Sequence, residues 1–144
     1  MKVLFDTNVV LDALLERPPH AQAALSLLAL VDERRMTGLL SATTVTTIHY
    51  LATKAVGATM AIRHMAELLE LFGVAPVDAA VLRSALNLDF SDYEDAVLHA
   101  AAVASGCQAI VTRNGADFAR ARLPIYTAPE LLAVVQAIEQ TTRP

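Results

Sequence analysis

Carboxylates stand at three separated points of this chain where they could share one task. Asp6 ends the apolar run Lys2-Val-Leu-Phe, Asp92 and Asp95 lie three apart ahead of an Ala-rich stretch, and Asn114 and Asp117 follow a second apolar run, Ala109-Ile-Val-Thr112. Side chains three apart in an opening helical turn share a face. Such a set offers only oxygen donors, which suits a hard divalent cation, Mg²⁺ or Mn²⁺. Two carboxylates at ~4 Å repel by about 4 kcal/mol at an effective dielectric of about 20, a strain that a divalent cation relieves. Asp6 is the strongest member, because a carboxylate at the end of a buried strand is costly unless paired or liganded. Asp92, Glu94 and Asp95 also suit a helix N-terminus for its dipole alone. Asp117 reads equally as the cap of a short turn, Phe118 to Arg122. Asp78 is accounted for as a helix N-cap and Asp89 as a loop residue.

The elements that must hold these residues follow from periodicity and breakers. Lys2 to Asp6 reads as a buried strand. A helix follows over Val9 to Glu16, stopped by Arg17-Pro18-Pro19, and a longer one runs from His20 to Arg35. Gly38-Leu39-Leu40 is the second strand. Thr43 to Val56 is helical, with Val45, Ile48, Leu51, Ala52 and Ala55 on one face. Gly57 closes it, and Thr59 with Met60 opens a helix whose stripe is Ile62, Met65, Ala66 and Leu69, ending at Gly73. Val74 to Val77 is a short strand whose Pro76 fits an edge or an end. Asp78 caps a helix over Ala79 to Asn87, and Ser91-Asp-Tyr-Glu94 has capping-box spacing before a helix that ends at Gly106. Ala109 to Thr112 is the fourth strand and Pro124 to Thr127 a weaker fifth; Pro129 opens the terminal helix. Strands separated by helices make an α/β protein with a mainly parallel sheet of 4–5 strands and helices on both faces. In such sheets ligands bind beyond the carboxyl ends of the strands, where the carboxylates stand.

The composition agrees. The 144 residues are 55% hydrophobic and suffice for one domain, 1–144, with a core of its own. Ala and Leu supply 27 and 21 of them, against 5% aromatics, which favours helices over a sandwich or barrel of β-branched strands. The lone Cys107 excludes an internal disulfide, and Cys and His lack zinc-site spacing, so the expected location is the cytoplasm. The longest apolar stretch, Ala23 to Val31, falls far short of the ~20 residues of a membrane span. The net charge of −4 removes whole-molecule attraction to nucleic acid, yet a bound cation or local arginines can supply positive charge at one place.

These segments resemble the PIN-domain ribonucleases, which include the toxins of bacterial toxin/antitoxin pairs. Asp6-Thr7-Asn8-Val9-Val10-Leu11-Asp12 is similar to that family's first motif, Asp92-Tyr93-Glu94-Asp95-Ala96-Val97-Leu98 to its central motif, and Ile110 to Phe118 to its last, in order and nearly end to end. The resemblance implies a PIN-like three-layer sandwich and Mg²⁺- or Mn²⁺-dependent hydrolysis of an RNA phosphodiester. It implies Asp6, Asp95 and Asp117 as metal ligands, and Asp92 as a substitute ligand or general base. Asn8, Thr47, Arg113 and Asn114 become partners of substrate or metal. An antitoxin is the implied protein partner; the acidic balance fits a basic segment on it, and exposed positions on the Ala- and Leu-rich helices suit a homodimer.

One departure stands out. Many family members carry a Glu ligand on the helix after the second strand, where this chain has Ser41-Ala-Thr-Thr-Val-Thr-Thr47 and no carboxylate. A PIN fold that binds RNA or protein without cleaving is therefore the rival reading. A receiver domain would need an acidic pair after the first strand and a Lys after the fifth, and a haloacid-dehalogenase-type phosphatase would need a second Asp at position 8; neither is present. No G-x-G-x-x-G or Walker loop suggests a nucleotide cofactor. His99, four residues after Asp95, reads as packed, and His20, His49 and His64 lack ligand spacing. Tyr93 and Phe118 read as core or lip residues before base-stacking ones. Arg120 and Arg122 serve phosphate contact and solvated surface equally well.

Overall fold

In the computed structural model, which describes residues 1–142, the elements follow the order β1 (Lys2–Phe5), α1 (Thr7–Leu14), α2 (Ala21–Asp32), β2 (Thr37–Ser41), α3 (Ala42–Val56), α4 (Ala58–Leu71), β3 (Gly73–Ala75), α5 (Ala79–Leu86), α6 (Tyr93–Ala104), β4 (Ala109–Val111), a 3₁₀ turn (Gly115–Phe118), β5 (Ile125–Tyr126) and α7 (Ala128–Thr142). The strands form one sheet in the order β3-β2-β1-β4-β5, and every neighbouring pair is parallel. The expected residues 143 and 144 of the 1–144 extent lie outside the described range.

Both faces of the sheet are covered, which explains why the central strands read as unbroken apolar runs. Successive strand residues point to opposite faces. Val3 and Phe5 of β1, with Ala109 and Val111 of β4, pack under α1, α2, α3, α4 and α7. Leu4 and Ile110, between them in sequence, pack under α5 and α6 on the other face. Ala96, Ala100, Ala101 and Ala102 of α6 are buried there, so this helix lies on the sheet through small side chains. Among the described residues, no helix is long and apolar enough to cross a membrane.

Several boundaries differ from the sequence reading, each for a local reason. The first helix begins at Thr7 rather than Val9, because Asp6 serves as its N-cap and accepts from the Thr7 amide at 2.7 Å. Ser91 and Glu94 form no capping box; Asp92 caps α6 instead, accepting from the Asp95 amide at 3.1 Å. A reciprocal box is found at Thr127 and Glu130, where α7 begins. The third strand is Gly73–Ala75, an edge strand that stops before Pro76. Gly57, at φ 86°, ends α3 and opens α4 with no intervening loop. The packed side of α4 is Ala61, Met65 and Leu68. Ile62 and Leu69, expected in the core stripe, are 61% and 48% exposed because α4 packs against α3 on one side alone.

Candidate active site

The chain runs outward from β1 to β2 and β3, then returns to lay β4 and β5 on the other side of β1. The switch point therefore lies between the carboxyl ends of β1 and β4, the place where open α/β sheets bind ligands. The register Phe5↔Val111 aligns those ends, and the Asp6 amide continues the ladder by donating to the Val111 carbonyl at 3.0 Å. Asp6 thus emerges beside the segment that carries Thr112, Asn114 and Asp117. Helix α6 crosses from the other layer and brings Asp92 and Asp95 to the same edge, while the start of α3 brings Thr47.

A cleft of ≈ 350 Å³ opens there, and its wall includes all of Asp6, Asn8, Thr47, Asp92, Asp95, Arg113, Asn114 and Asp117. The wider hollow of ≈ 590 Å³ lined by Leu28, Asp32, Glu67 and Glu70 lies where α2 leads into the amino end of β2, far from these strand ends. His99, by contrast, takes no part in the cleft wall. Its Nε2 accepts from the Arg122 amide at 3.0 Å and its ring lies 5.4 Å from that of Phe90. Burial, helped by Arg122, pushes its pKa down. Phe118 is core. Tyr93 spends its hydroxyl on the Leu82 carbonyl at 2.8 Å, and Arg120 pairs with Asp89 at 2.7 Å.

Asp6 is buried, at 7% exposure. One oxygen accepts from the Thr7 amide and the other from the Thr112 hydroxyl, each at 2.7 Å. Its pKa is nevertheless raised, chiefly by burial; the bonds from Thr112 and Thr7 oppose the shift, Asp117 adds to it and Arg113 opposes it. Asp95 is pushed up to about 7, first by desolvation and then by Asp92, Asp6, Asp117 and Glu94. That crowding of negative charge is what a divalent cation would relieve. The oxygen donors therefore fit Mg²⁺ or Mn²⁺ chemically. As they stand, no three His, Cys, Asp or Glu side chains among the described residues are grouped closely enough to hold an ion.

The helix α3 contributes hydroxyls to this end of the sheet. Thr47 donates to the Thr43 carbonyl at 3.1 Å, which leaves its oxygen as an acceptor beside the cleft. Thr44 meets Thr7 and Ser41 at 3.4 Å. Asp117 sits inside the 3₁₀ turn and does not cap a Phe118 to Arg122 segment. Three contributors escaped sequence reasoning. Thr112 orients Asp6; a buried polar residue ending the apolar run of β4 was the available signal. Arg17, read only as a helix stop, lines the cleft. Asp12, 1% exposed on α1, pairs with both Arg17 and Arg113 at 3.0 Å. Its signal was a carboxylate set among the apolar residues of that helix.

The chain belongs to the PIN domain family: the family's model, described as PIN domain, matches residues 2–116. Solved structures share the fold. The VapBC2 complex of Rickettsia felis bound to a promoter DNA fragment aligns with TM-score 0.68 at 18% identity, over 88% of this chain and 98% of that one. A toxin-antitoxin complex from Klebsiella pneumoniae gives 0.67 at 22% identity, over 88% and 97%. VapC20 of Mycobacterium tuberculosis, a toxin that cleaves the sarcin-ricin loop, gives 0.60 at 16% identity, over 75% and 86%. No curated protein matches the sequence.

Proposed function

We propose that this chain is a metal-dependent endoribonuclease, the toxin of a toxin/antitoxin pair, acting as one domain over 1–144 in the cytoplasm. The observation that carries the reading is the meeting of Asp6, Asp95 and Asp117 in one cleft at the β1/β4 switch point of a PIN domain. Asp6 and Asp95 would hold Mg²⁺ or Mn²⁺, with Asp117 as a ligand directly or through water. The ion supplies polarisation of the phosphoryl oxygen and a lowered pKa for bound water. Asp92 would orient the attacking water and take its proton as the water oxygen bonds to phosphorus, while the bond from phosphorus to the departing ribose oxygen breaks and that oxygen takes a proton from solvent. Arg113 contacts the phosphate, and Asn8, Thr47 and Asn114 steady substrate or ion. Of these, Asn8 already accepts from the Arg113 amide at 3.4 Å.

An antitoxin and a second copy of the chain are the proposed protein partners. Toxin-antitoxin complexes among the structures of the same fold support the first. The exposed Tyr50, Ile62 and Leu69 of α3 and α4 offer apolar surface for either. A second reading, a PIN module that binds without cleaving, is favoured by one feature: α3 presents Thr47 and no carboxylate to the cleft. Incubation of the purified chain with RNA, in Mn²⁺ and then with excess chelator, separates the two: metal-dependent cleavage supports the nuclease, binding without cleavage the module.

A further inference from the structure

Two cations, Arg17 and Arg113, stand in the wall of the acidic cleft, and one carboxylate behind that wall holds both. Asp12 Oδ1 accepts from Arg17 Nε and meets its Nη2, each at 3.0 Å. Asp12 Oδ2 meets Arg113 Nε, also at 3.0 Å. The carboxylate is buried, with a side-chain exposure of 2%, whereas the guanidinium side chains are 38% and 37% exposed. Asn8 ties the arrangement together: its carbonyl accepts from Arg17 Nη2 at 3.2 Å and its Oδ1 from the Arg113 amide at 3.4 Å. Arg17 precedes α2 and Arg113 follows β4, so a single side chain of α1 fixes two arginines from distant parts of the sequence.

A buried ion pair contributes little net stability compared with well-packed apolar groups of the same size. Its distinctive effect here is geometric. With Arg17 Nε hydrogen-bonded and Arg113 Nε ion-paired to Asp12, Arg17 Nη1 and both Nη groups of Arg113 have no hydrogen-bond partner among the described residues. Planar guanidinium N–H groups match the non-bridging oxygens of a phosphodiester. Elsewhere the cleft wall carries Asp6, Asp92, Glu94, Asp95 and Asp117, which repel a phosphate while no cation is bound, so in the metal-free cleft the two arginines are the groups of the wall that attract an anionic backbone.

We propose that Asp12 is a positioning residue that sets Arg17 and Arg113 as a two-armed clamp on a phosphodiester of single-stranded RNA beside the carboxylates. The inference rests on the ribonuclease reading for its ligand, and binding can be measured apart from cleavage. The probe is a fluorescein-labelled single-stranded RNA oligomer in excess chelator, where the proposed metal-dependent cleavage cannot proceed, followed by anisotropy across a salt series. Arg17→Gln and Arg113→Gln should each weaken binding about tenfold and lower the slope of log affinity against log salt by about 0.7. Asp12→Asn should also weaken binding about tenfold, although it removes a negative charge, and adding Arg113→Gln should cost little more.

Binding by Asp12→Asn that equals or exceeds wild type overturns the positioning role, since simple neutralisation predicts that sign. Unchanged affinity and salt slope in both arginine variants overturns the clamp. Should Asp12→Asn fail to fold by circular dichroism, Asp12→Glu takes its place: it keeps the charge and displaces the carboxylate by one methylene, so it should weaken binding too, and binding equal to wild type overturns the positioning role. A wild-type chain that binds this oligomer through both arginines in chelator but leaves it intact in Mn²⁺ overturns the nuclease reading and upholds the clamp. A wild-type chain that binds no RNA overturns both.

Discussion

The Thr112 hydroxyl donates to Oδ2 of Asp6 over 2.7 Å, joining the residues that follow β4 and β1. The same hydroxyl accepts from the Asn114 amide at 3.0 Å, so it fixes the Asp6 carboxylate and the first bend of the segment leading to Asp117. Both jobs are done by a side chain with 0% exposure, in a setting where hydrogen bonds to charged groups are worth about 1.5–3 kcal/mol.

Replacing that hydroxyl by a methyl tests its contribution. Thr112→Val keeps the shape and removes one of the two hydrogen bonds that hold the Asp6 carboxylate, so Mn²⁺ affinity should fall about 10–100-fold, the usual effect of losing a group that orients a ligand. Calorimetric titration of Mn²⁺ into wild type and variant reads the difference; equal affinities would remove Thr112 from the site.

The pH dependence follows from Asp95, whose pKa rises from an ordinary 3.8 to about 7 on folding. Between those values the folded chain binds the proton more tightly than the unfolded one. Metal-free stability should therefore fall as pH rises across that interval and level off above it, so far as this group is concerned. Asp6, also raised, acts in the same direction. Mn²⁺ competes with the proton, so its affinity should climb with pH up to about 7, by about tenfold per unit if one group governs it. Melting temperatures with and without Mn²⁺ from pH 5 to 8 check both trends, and Asp95→Asn should flatten them.

Asp92 carries two roles that separate by substitution. As the cap of α6 it can be replaced by Asn with little loss, whereas Asp92→Ala should cost about 1 kcal/mol in urea unfolding. As the residue proposed to orient water it cannot, so Asp92→Asn should retain stability and lose most cleavage. The same change removes a negative neighbour and should lower the pKa of Asp95, which a carbon-detected NMR titration follows.

Away from the cleft, Gly38 tests the packing of β2. A Cβ there would meet Phe72 Cε1 at 2.6 Å and Val31 Cγ2 at 3.1 Å, and Phe72 cannot yield freely because its ring sits edge-on to Phe5 at 4.9 Å. Gly38→Ala should destabilise by about 1–3 kcal/mol, measured by urea unfolding, while Mn²⁺ affinity is retained.

Much of this was legible because the chemistry lies at strand ends and helix starts, where local patterns are strongest. The apolar run closed by Asp6, Asp78 at its helix start, and the small residues of α6 each follow from a few adjacent positions. What escaped depends on distant partners. Nothing local marks Arg17 as a neighbour of Arg113, since Asp12 joins them through the fold. The choice of Asp92 over Ser91 as cap, and of Ala61 over Ile62 as the buried side of α4, is a shift of one residue set by packing rather than by propensity. Hydroxyl lining from α3 was visible as a run of threonines, but only the cleft shows that Thr47 faces the carboxylates' side of the sheet.

Cleavage of RNA by the wild-type chain and by Asp6→Asn combined with Asp95→Asn tests the central claim most directly. Wild type should cut single-stranded RNA in Mg²⁺ or Mn²⁺, stop in excess chelator and resume when Mn²⁺ is restored, and the folded double variant should not cut at all. Intact RNA in the wild-type reaction with metal, or undiminished cutting by the pure double variant, would contradict it.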